Sequence, residues 1–542
     1  MHRSLPLLGL ASLASATVSH AQSIEWTEFA REDARLSADP TLGTGDTQEK
    51  DFAFGDFDGD GWTDLISVRK QPFTTAGRRP NVLFMNEGGT LVDRTGQYAS
   101  ATDVSGDMGF LTPTNDRDVA VGDLDGWLDF VTATTLSAGQ PKHVSHPRAY
   151  MNLGRDGNGD WLGFRYEEAR TPDWGTFPNM CGIAIGDVTG DGAPDIYFSH
   201  YVQGVGADID DRLLINDGNG FFVDESTARM TLDMRRSAFG TSAVIADMNG
   251  DDANDVISAS GVGTGAGETR VSIAYNNPNS EGFFNILQEP YNGAPYHVNV
   301  GDLNQDGRLD MVVSDDGQDR FLLNQGNDPF GRVAWGPQLS FNTDDGFGSN
   351  NYIEDLDLDG WPEVIVCDVD VDFFGCDRRL HIYHNRGGVV GGTVVLHEER
   401  QGASIGALGL PSLQGVHDVA IFDIDNDGDK DLVVGRCTDT RVYINLLDGL
   451  GTYYCSPAVV NSSGQPGRIV VSGSPIVADN DVSLAAAGLP PNTFGFFLAS
   501  QTAAANNMPG GSQGILCVGG SIGRYVGPGQ ILNSGTGGSF LL

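Results

Sequence analysis

One pattern recurs seven times along this chain, and self-similarity at a fixed period constrains a fold more tightly than any bulk property. Each copy is a short apolar run, an acidic loop and a second apolar run. The copies are FAFGDFDGDGWTDLISV from Phe52, VAVGDLDGWLDFVTA from Val119, IAIGDVTGDGAPDIYFS from Ile183, AVIADMNGDDANDVISA from Ala243, HVNVGDLNQDGRLDMVVS from His297, YIEDLDLDGWPEVIVCD from Tyr352 and VAIFDIDNDGDKDLVVG from Val419. Their first acidic residues, Asp56, Asp123, Asp187, Asp247, Asp302, Asp355 and Asp423, stand 53 to 68 residues apart. That length holds four short strands and a loop, the size of one propeller blade. A third apolar run ending in an Asn-centred turn follows nearly every copy, as in NVLFMNEGG from Asn81 and RLLINDGNG from Arg212. Asn and Gly supply the positive φ angles of tight hairpins. A partly polar fourth run comes next in GTLVDRT from Gly89 and GFFVDEST from Gly220. No segment of the array sustains a helical period with caps.

The fold class is therefore all-β: a seven-bladed β-propeller over residues 22–450, followed by a small β-rich module over 451–542 that is rich in Gly, Ser and Pro and nearly free of charge. Radial repetition leaves few open sheet edges. The seventh copy supplies only three strands before that module, whereas SIEWTEFARE near the N-terminus reads as an orphan outer strand. Pairing the two would supply the missing fourth strand and close the ring.

A nine-residue loop with oxygen donors at positions 1, 3, 5 and 9 can wrap a hard cation that takes six to eight oxygens. Position 7 offers a backbone carbonyl, and Gly at position 6 permits the sharp turn. Asp56, Asp58, Asp60 and Asp64 form a full set, as do Asp423, Asp425, Asp427 and Asp431. Asp302, Asn304, Asp306 and Asp310 replace one carboxylate by an amide; Asp355, Asp357, Asp359 and Glu363 lengthen the closing arm. Asp187, Thr189, Asp191 and Asp195 carry a hydroxyl at position 3, while Asp247, Asn249, Asp251 and Asp255 have Asp252 where glycine is expected. The second copy keeps Asp123, Asp125 and Asp129 but lacks two loop residues, which makes it the weakest candidate. Ca2+ is the expected ion. Isolated acidic turns would need no metal, but six near-complete donor sets crowd more carboxylates together than turns require.

The chain has 542 residues, with 32 Lys and Arg against 73 Asp and Glu and a formal charge of -41. Nucleic acids and anionic membranes are recognised through Lys and Arg, so neither is an expected partner. Residues 1–21 read as an export signal: His2 and Arg3, an apolar stretch from Leu5 to about Val18, and Ser19-His20-Ala21 as the cleavage site. No later stretch approaches the ~20 apolar residues of a membrane span. Export implies an oxidising compartment for the six cysteines. Cys455 with Cys517 is the expected bridge of the C-terminal module, Cys367 with Cys376 a second by short spacing, and Cys181 and Cys437 are unassigned.

The D-x-D-x-D-G-x-x-D loops between short strands resemble the FG-GAP and VCBS repeats of integrin α-subunit propellers and of secreted bacterial proteins, over about Phe52 to Leu447. The resemblance implies a calcium-binding extracellular scaffold, with a protein or glycan ligand that it does not name and an oligomeric state that it leaves open. The alternative is a polysaccharide-active, lyase-like enzyme or a carbohydrate-binding propeller.

Other motifs add little chemistry. GVGTGAG from Gly261 runs into a strand rather than a helix, so it does not read as a dinucleotide fingerprint. No H-E-x-x-H motif is present, and no catalytic residue is assigned. His143 and His146 fall in a polar loop and read as solvent-facing, whereas His381 and His384 fall on opposite faces of a strand and share no role. Trp62, Trp127 and Trp361, at corresponding loop positions, read as apolar plugs at blade edges.

Overall fold

The computed structural model describes residues 27–446, apart from 73–76, 176–178, 202–209, 238, 262–268, 342–345, 347, 359, 369–375, 388–389 and 399–409. Beyond residue 467 it describes 468–473, 482–487, 489–507, 515–527, 530–535 and 539–541. The export segment and the glycine-rich stretch after Gly261 lie outside the described residues.

Blade 1 shows the plan. Strands Glu49–Gly55, Asp64–Lys70, Val82–Asn86 and Leu91–Asp93 pair antiparallel in chain order, and Leu36–Ser37 adds a parallel edge. Six more sheets repeat it. Their first strands are Asp116–Asp123, Met180–Gly186, Gly240–Ala246, Pro295–Gly301, Gly348–Glu354 and Val416–Phe422. Each first strand packs against the first strands of the blades before and after it, and the seventh packs against the first of blade 1. The ring is thus closed by a cycle of first strands around one axis.

The core lies between blades, not at the centre. Leu65, Val82 and Phe84 of blade 1 meet Phe422, Val433 and Ile444 of blade 7 in one cluster; Ile365 and Ile382 of blade 6 meet Val419, Leu432 and Tyr443 of blade 7 in another. Because each sheet is covered on both faces, second strands such as Asp64–Lys70 are buried at every residue. That two-sided burial explains why they read as continuous apolar runs rather than alternating ones. The glycine before the first acidic residue permits close stacking: a methyl group at Gly55, Gly122, Gly186 or Gly301 would come within 2.6 to 2.8 Å of Leu128, Ile185, Ile245 or Ile353 in the next blade.

The N-terminal segment closes the ring as expected. Phe29–Arg31 pairs antiparallel with Thr440–Asn445, the third strand of blade 7, with Phe29 opposite Asn445. Phe29 is buried in the cluster shared by blades 6 and 7. The C-terminal region is also β-structured: Arg468–Gly473, Val482–Ala487 and Phe540–Leu541 form one sheet, and Leu498–Asn507 pairs with Ile515–Arg524.

Candidate cation-binding loops

The acidic loops link first and second strands and share one rim. In blade 1 the carboxylate at position 1 organises the turn: Asp56 accepts the backbone N–H groups of Gly59 (2.8 Å), Asp60 (3.1 Å) and Gly61 (3.0 Å). Asp58 at position 3 accepts the N–H of Asp60 at 3.1 Å, and Asp60 at position 5 accepts that of Trp62 at 2.9 Å. Position 6 is left-handed, with φ 92° at Gly61. Blade 4 reaches the same conformation without glycine, with φ 68° at Asp252. The bonds recur at Asp187, Asp247, Asp302 and Asp423.

Position 9 has a structural task in addition to any metal. Asp64 accepts the N–H of Phe57 at 3.1 Å and of Asn86 at 2.7 Å, tying the loop to the second and third strands. Asp129, Asp195, Asp255, Asp310, Glu363 and Asp431 accept the equivalent pair of N–H groups. The pairing persists in the shortened second loop, so it does not depend on a complete donor set. The Asn at the end of each third strand adds a clasp between blades. Asn86 donates to Ile424 O (2.8 Å), Asn152 to Phe57 O (2.8 Å), Asn216 to Leu124 O (3.1 Å) and Asn276 to Val188 O (2.7 Å). Asn324 donates to Met248 O (3.1 Å), Asn385 to Leu303 O (2.9 Å) and Asn445 to Leu356 O (3.0 Å). The seven bonds run once around the ring, each reaching position 2 of the preceding loop. Sequence reasoning placed these asparagines in turns and missed the clasp; their recurrence directly after each third apolar run was the available signal.

Three groups of donors converge among the described residues, each with atoms within 4.8 Å of one another: Asp56, Asp58 and Asp64; Asp423, Asp425 and Asp431; and Asp357, Glu363 and His384. Positions 1, 3 and 9 meet in blades 1 and 7, while position 5 stays outside the converging set. In blades 3, 4 and 5, Thr189, Asn249 and Asn304 bring neutral oxygens to position 3. Thr189 Oγ1 donates to Asp187 at 3.3 Å, and Asn304 accepts the N–H of Asp306 at 3.1 Å. In blade 6, Asp355 accepts the N–H of Gly360 at 3.0 Å; Asp359 lies outside the described residues.

Burial dominates the electrostatics. Removal from water raises Asp64, Asp255 and Asp431 to about 8, Asp310 to about 7 and Asp195 to about 6, against the N–H bonds that lower them. Asp58 and Asp425 are raised by burial and then by the carboxylate at position 5. Blade 7 holds a fifth carboxylate that sequence reasoning passed over, Asp429 at position 7. It is 2% exposed, and neither of its oxygens has a hydrogen-bond partner among the described residues. Burial and the neighbouring Asp427 and Asp431 raise it to about 9. Asp425 keeps one oxygen on Arg35 at 3.1 Å, and its other oxygen is buried with no hydrogen-bond partner among the described residues. Such a pocket of crowded carboxylates fits a divalent ion.

Blade 2 lacks such a pocket. Asp125 faces the guanidinium of Arg170 at 3.9 Å, Asp123 is exposed, and no metal-like convergence of Asp123, Asp125 and Asp129 occurs.

Two other expectations need correction. Cys376 is bridged to Cys437, joining the segment before the third strand of blade 6 to blade 7, while Cys367 is a free, buried residue. Cys367 sits inside strand Glu363–Asp368 and packs in the core between blades 6 and 7, which keeps it from its near neighbour. Cys181 is also free and buried; Cys455 and the side chain of Cys517 lie outside the described residues. His146, read as solvent-facing, is 2% exposed and stacks on Trp174. His381 and His384 do reach different carboxylates, Asp368 and Glu398 for the first and Asp357 for the second. Trp127 and Trp361 cover the turns after the third strands, where a methyl group at Gly154 or Gly387 would approach the indoles to 2.8 and 3.0 Å.

The end of the axis opposite the acidic loops carries a pocket lined by Glu49, Lys50, Arg117, Asp118, His297 and His417. Burial lowers Lys50 to about 8, but its Nζ donates to the carbonyls of Asp46 and Arg436, each at 2.9 Å. Both ring nitrogens of His417 are buried without hydrogen-bond partners among the described residues.

Residues 302–366 and 355–434 match the family model of an FG-GAP-like repeat. No curated protein matches the chain. A solved lectin of Agrocybe aegerita, described by its specific recognition of non-reducing terminal N-acetylglucosamine, is 18% identical with a TM-score of 0.39, over 65% of this chain and 80% of that one. A protein from Lactobacillus plantarum is 13% identical with a TM-score of 0.37, over 68% of this chain and 87% of that one. Likenesses this distant carry no argument about ligand.

Proposed function

We propose that this chain, which is a seven-bladed FG-GAP repeat β-propeller, is an exported scaffold whose acidic loops hold Ca2+ and whose opposite face binds an extracellular protein or glycan. The observation that carries the calcium reading is the blade 7 loop, where Asp423, Asp425 and Asp431 converge and the buried carboxylate of Asp429 has no partner among the described residues. Ionised carboxylates so placed repel one another, and a divalent ion removes both the repulsion and the desolvation cost. The ion would be held by Asp56, Asp58 and Asp64 in blade 1 and by Asp423, Asp425, Asp429 and Asp431 in blade 7. Blades 3, 4 and 5 offer weaker sets. Calcium here stabilises hairpins by binding the folded form; carboxylates held ionised by a metal make poor general acids.

No helix among the described residues is long and apolar enough to cross a membrane. For the partner we favour the face opposite the loops, where the axial pocket mixes Lys50 and Arg117 with Glu49 and Asp118. A scaffold is favoured over a lyase because the lysine there is committed to two carbonyls and so is not poised to abstract a proton. A glycan array followed by a product assay on every hit tests this. Binding with intact glycan supports the scaffold, and release of unsaturated oligosaccharides overturns it.

A further inference from the structure

Blade 6 departs from its siblings at one position of its third strand. The residue before the clasping asparagine is Met85, Met151, Ile215, Tyr275, Leu323 and Ile444 in blades 1 to 5 and 7, but His384 in blade 6. In those six blades the side chain packs among apolar residues between blades. His384 instead meets the acidic loop of its own blade. Its donor atom lies within 4.8 Å of donors from Asp357 and Glu363, and the three residues are 6%, 9% and 0% exposed. Blade 6 is also the one copy that closes its loop with Glu.

We propose that blade 6 holds a first-row transition dication on Asp357, Glu363 and His384, where blades 1 and 7 present oxygen alone. Calcium is a hard ion that selects oxygen, whereas imidazole nitrogen suits Zn2+, Ni2+ and their neighbours. One nitrogen and two carboxylates, all buried, make a compact set suited to bonds of about 2.0–2.2 Å and ill suited to an ion that needs six to eight oxygens. His384 Nε2 lies 3.4 Å from Asp357 Oδ2, the edge of a coordination tetrahedron with bonds of about 2.1 Å. The competing account is an ion pair between a charged imidazole and the carboxylates. Under that account the site has no affinity for Zn2+, because a metal ligand must be a neutral imidazole. The proposal rests on the calcium reading only in taking the loop for a cation cradle, and calcium is counted separately below.

The test uses the full chain, stripped with a chelator and dialysed into excess Ca2+, then titrated with Zn2+ against a chromophoric competitor. The variant His384→Leu restores the residue type that blade 5 carries as Leu323, and His384→Gln is the second variant if the first folds poorly. The wild type is expected to bind one Zn2+ more per chain than either variant, with affinity more than about 100-fold above theirs, and Co2+ is expected to give a visible absorption band that the variants lack. Wild-type protein that takes up no Zn2+ in excess Ca2+, or variants that bind it equally, overturns the proposal. Calcium measured in the same samples separates the two ideas: zinc without calcium leaves this site standing and rejects the calcium reading, and calcium without zinc does the reverse.

Discussion

Blade 7 carries carboxylates at positions 1, 3, 5, 7 and 9 of its loop and takes its outer strand from the N-terminus; blade 2 draws all its strands from consecutive chain and has lost two loop residues. Yet Asp431 and Asp129 accept the same two backbone N–H groups, and Asn445 and Asn152 make the same clasp to the preceding blade. The shared part is architecture. What differs is positions 1, 3 and 7: in blade 7 Asp423 and Asp425 converge with Asp431 and Asp429 is buried, whereas blade 2 sets Arg170 beside Asp125. Blade 2 has other support: Arg148 is fully buried, paired with Asp107 and placed 3.8 Å over the ring of Tyr166.

The contrast can be broken most severely at the ring closure. Deleting residues 23–32 removes the outer strand of blade 7 and the buried Phe29, and should cost upwards of about 5 kcal/mol, since a large buried side chain alone is worth ~3–5. Urea unfolding reads it, and an unchanged midpoint would show that blade 7 stands without the N-terminal strand. Next come Asp431→Ala and Asp129→Ala. Each strands two buried N–H groups, at about 1–3 kcal/mol per group. The two variants should lose similar stability in metal-free protein, although only Asp431→Ala should lose an ion. Unequal losses without metal would mean that position 9 is not the common strut.

Cys437→Ser opens a bridge spanning 61 residues and should cost about 2–4 kcal/mol. Peptide mapping without reductant should recover Cys376 joined to Cys437 and Cys367 as a free thiol. A smaller effect separates the loops by pH. Burial raises Asp431 and Asp129 to about 8 and Asp429 to about 9 in the metal-free fold, above the ~3.9 of an unfolded aspartate. A raised carboxyl binds its proton more tightly when folded, so its stabilisation is complete below about pH 4 and is lost as pH rises through 8 to 9. The melting temperature of chelated protein should therefore fall between pH 5 and 9. Calcium should flatten that slope, and Asp429→Asn should reduce it in chelated protein; a slope that calcium leaves unaltered would remove blade 7 as its source.

The seven loops, the blade count and the closing strand were legible because each is written in local pattern: alternating runs, loop spacing and an unpartnered strand. Asp64 and Asn86 show where legibility ended. Each was visible as a loop or turn residue, but their joint bond and the reach of Asn86 to Ile424 depend on how blades stack, which a single repeat does not encode. Cysteine spacing misled for the same reason, since Cys367 faces the core while Cys437, 61 residues beyond Cys376, lies beside it. His384 was placed correctly on its strand, but its meeting with Asp357 required the sheet.

Calcium stoichiometry tests the central claim most directly. Metal analysis of dialysed protein should show that Asp58→Ala and Asp425→Ala each lose about one ion, since each removes a member of a converging set. Asp125→Ala should lose none, because that carboxylate faces Arg170. Wild-type protein that binds no calcium, or Asp58→Ala and Asp425→Ala variants that keep the wild-type count, would contradict the account of the acidic loops.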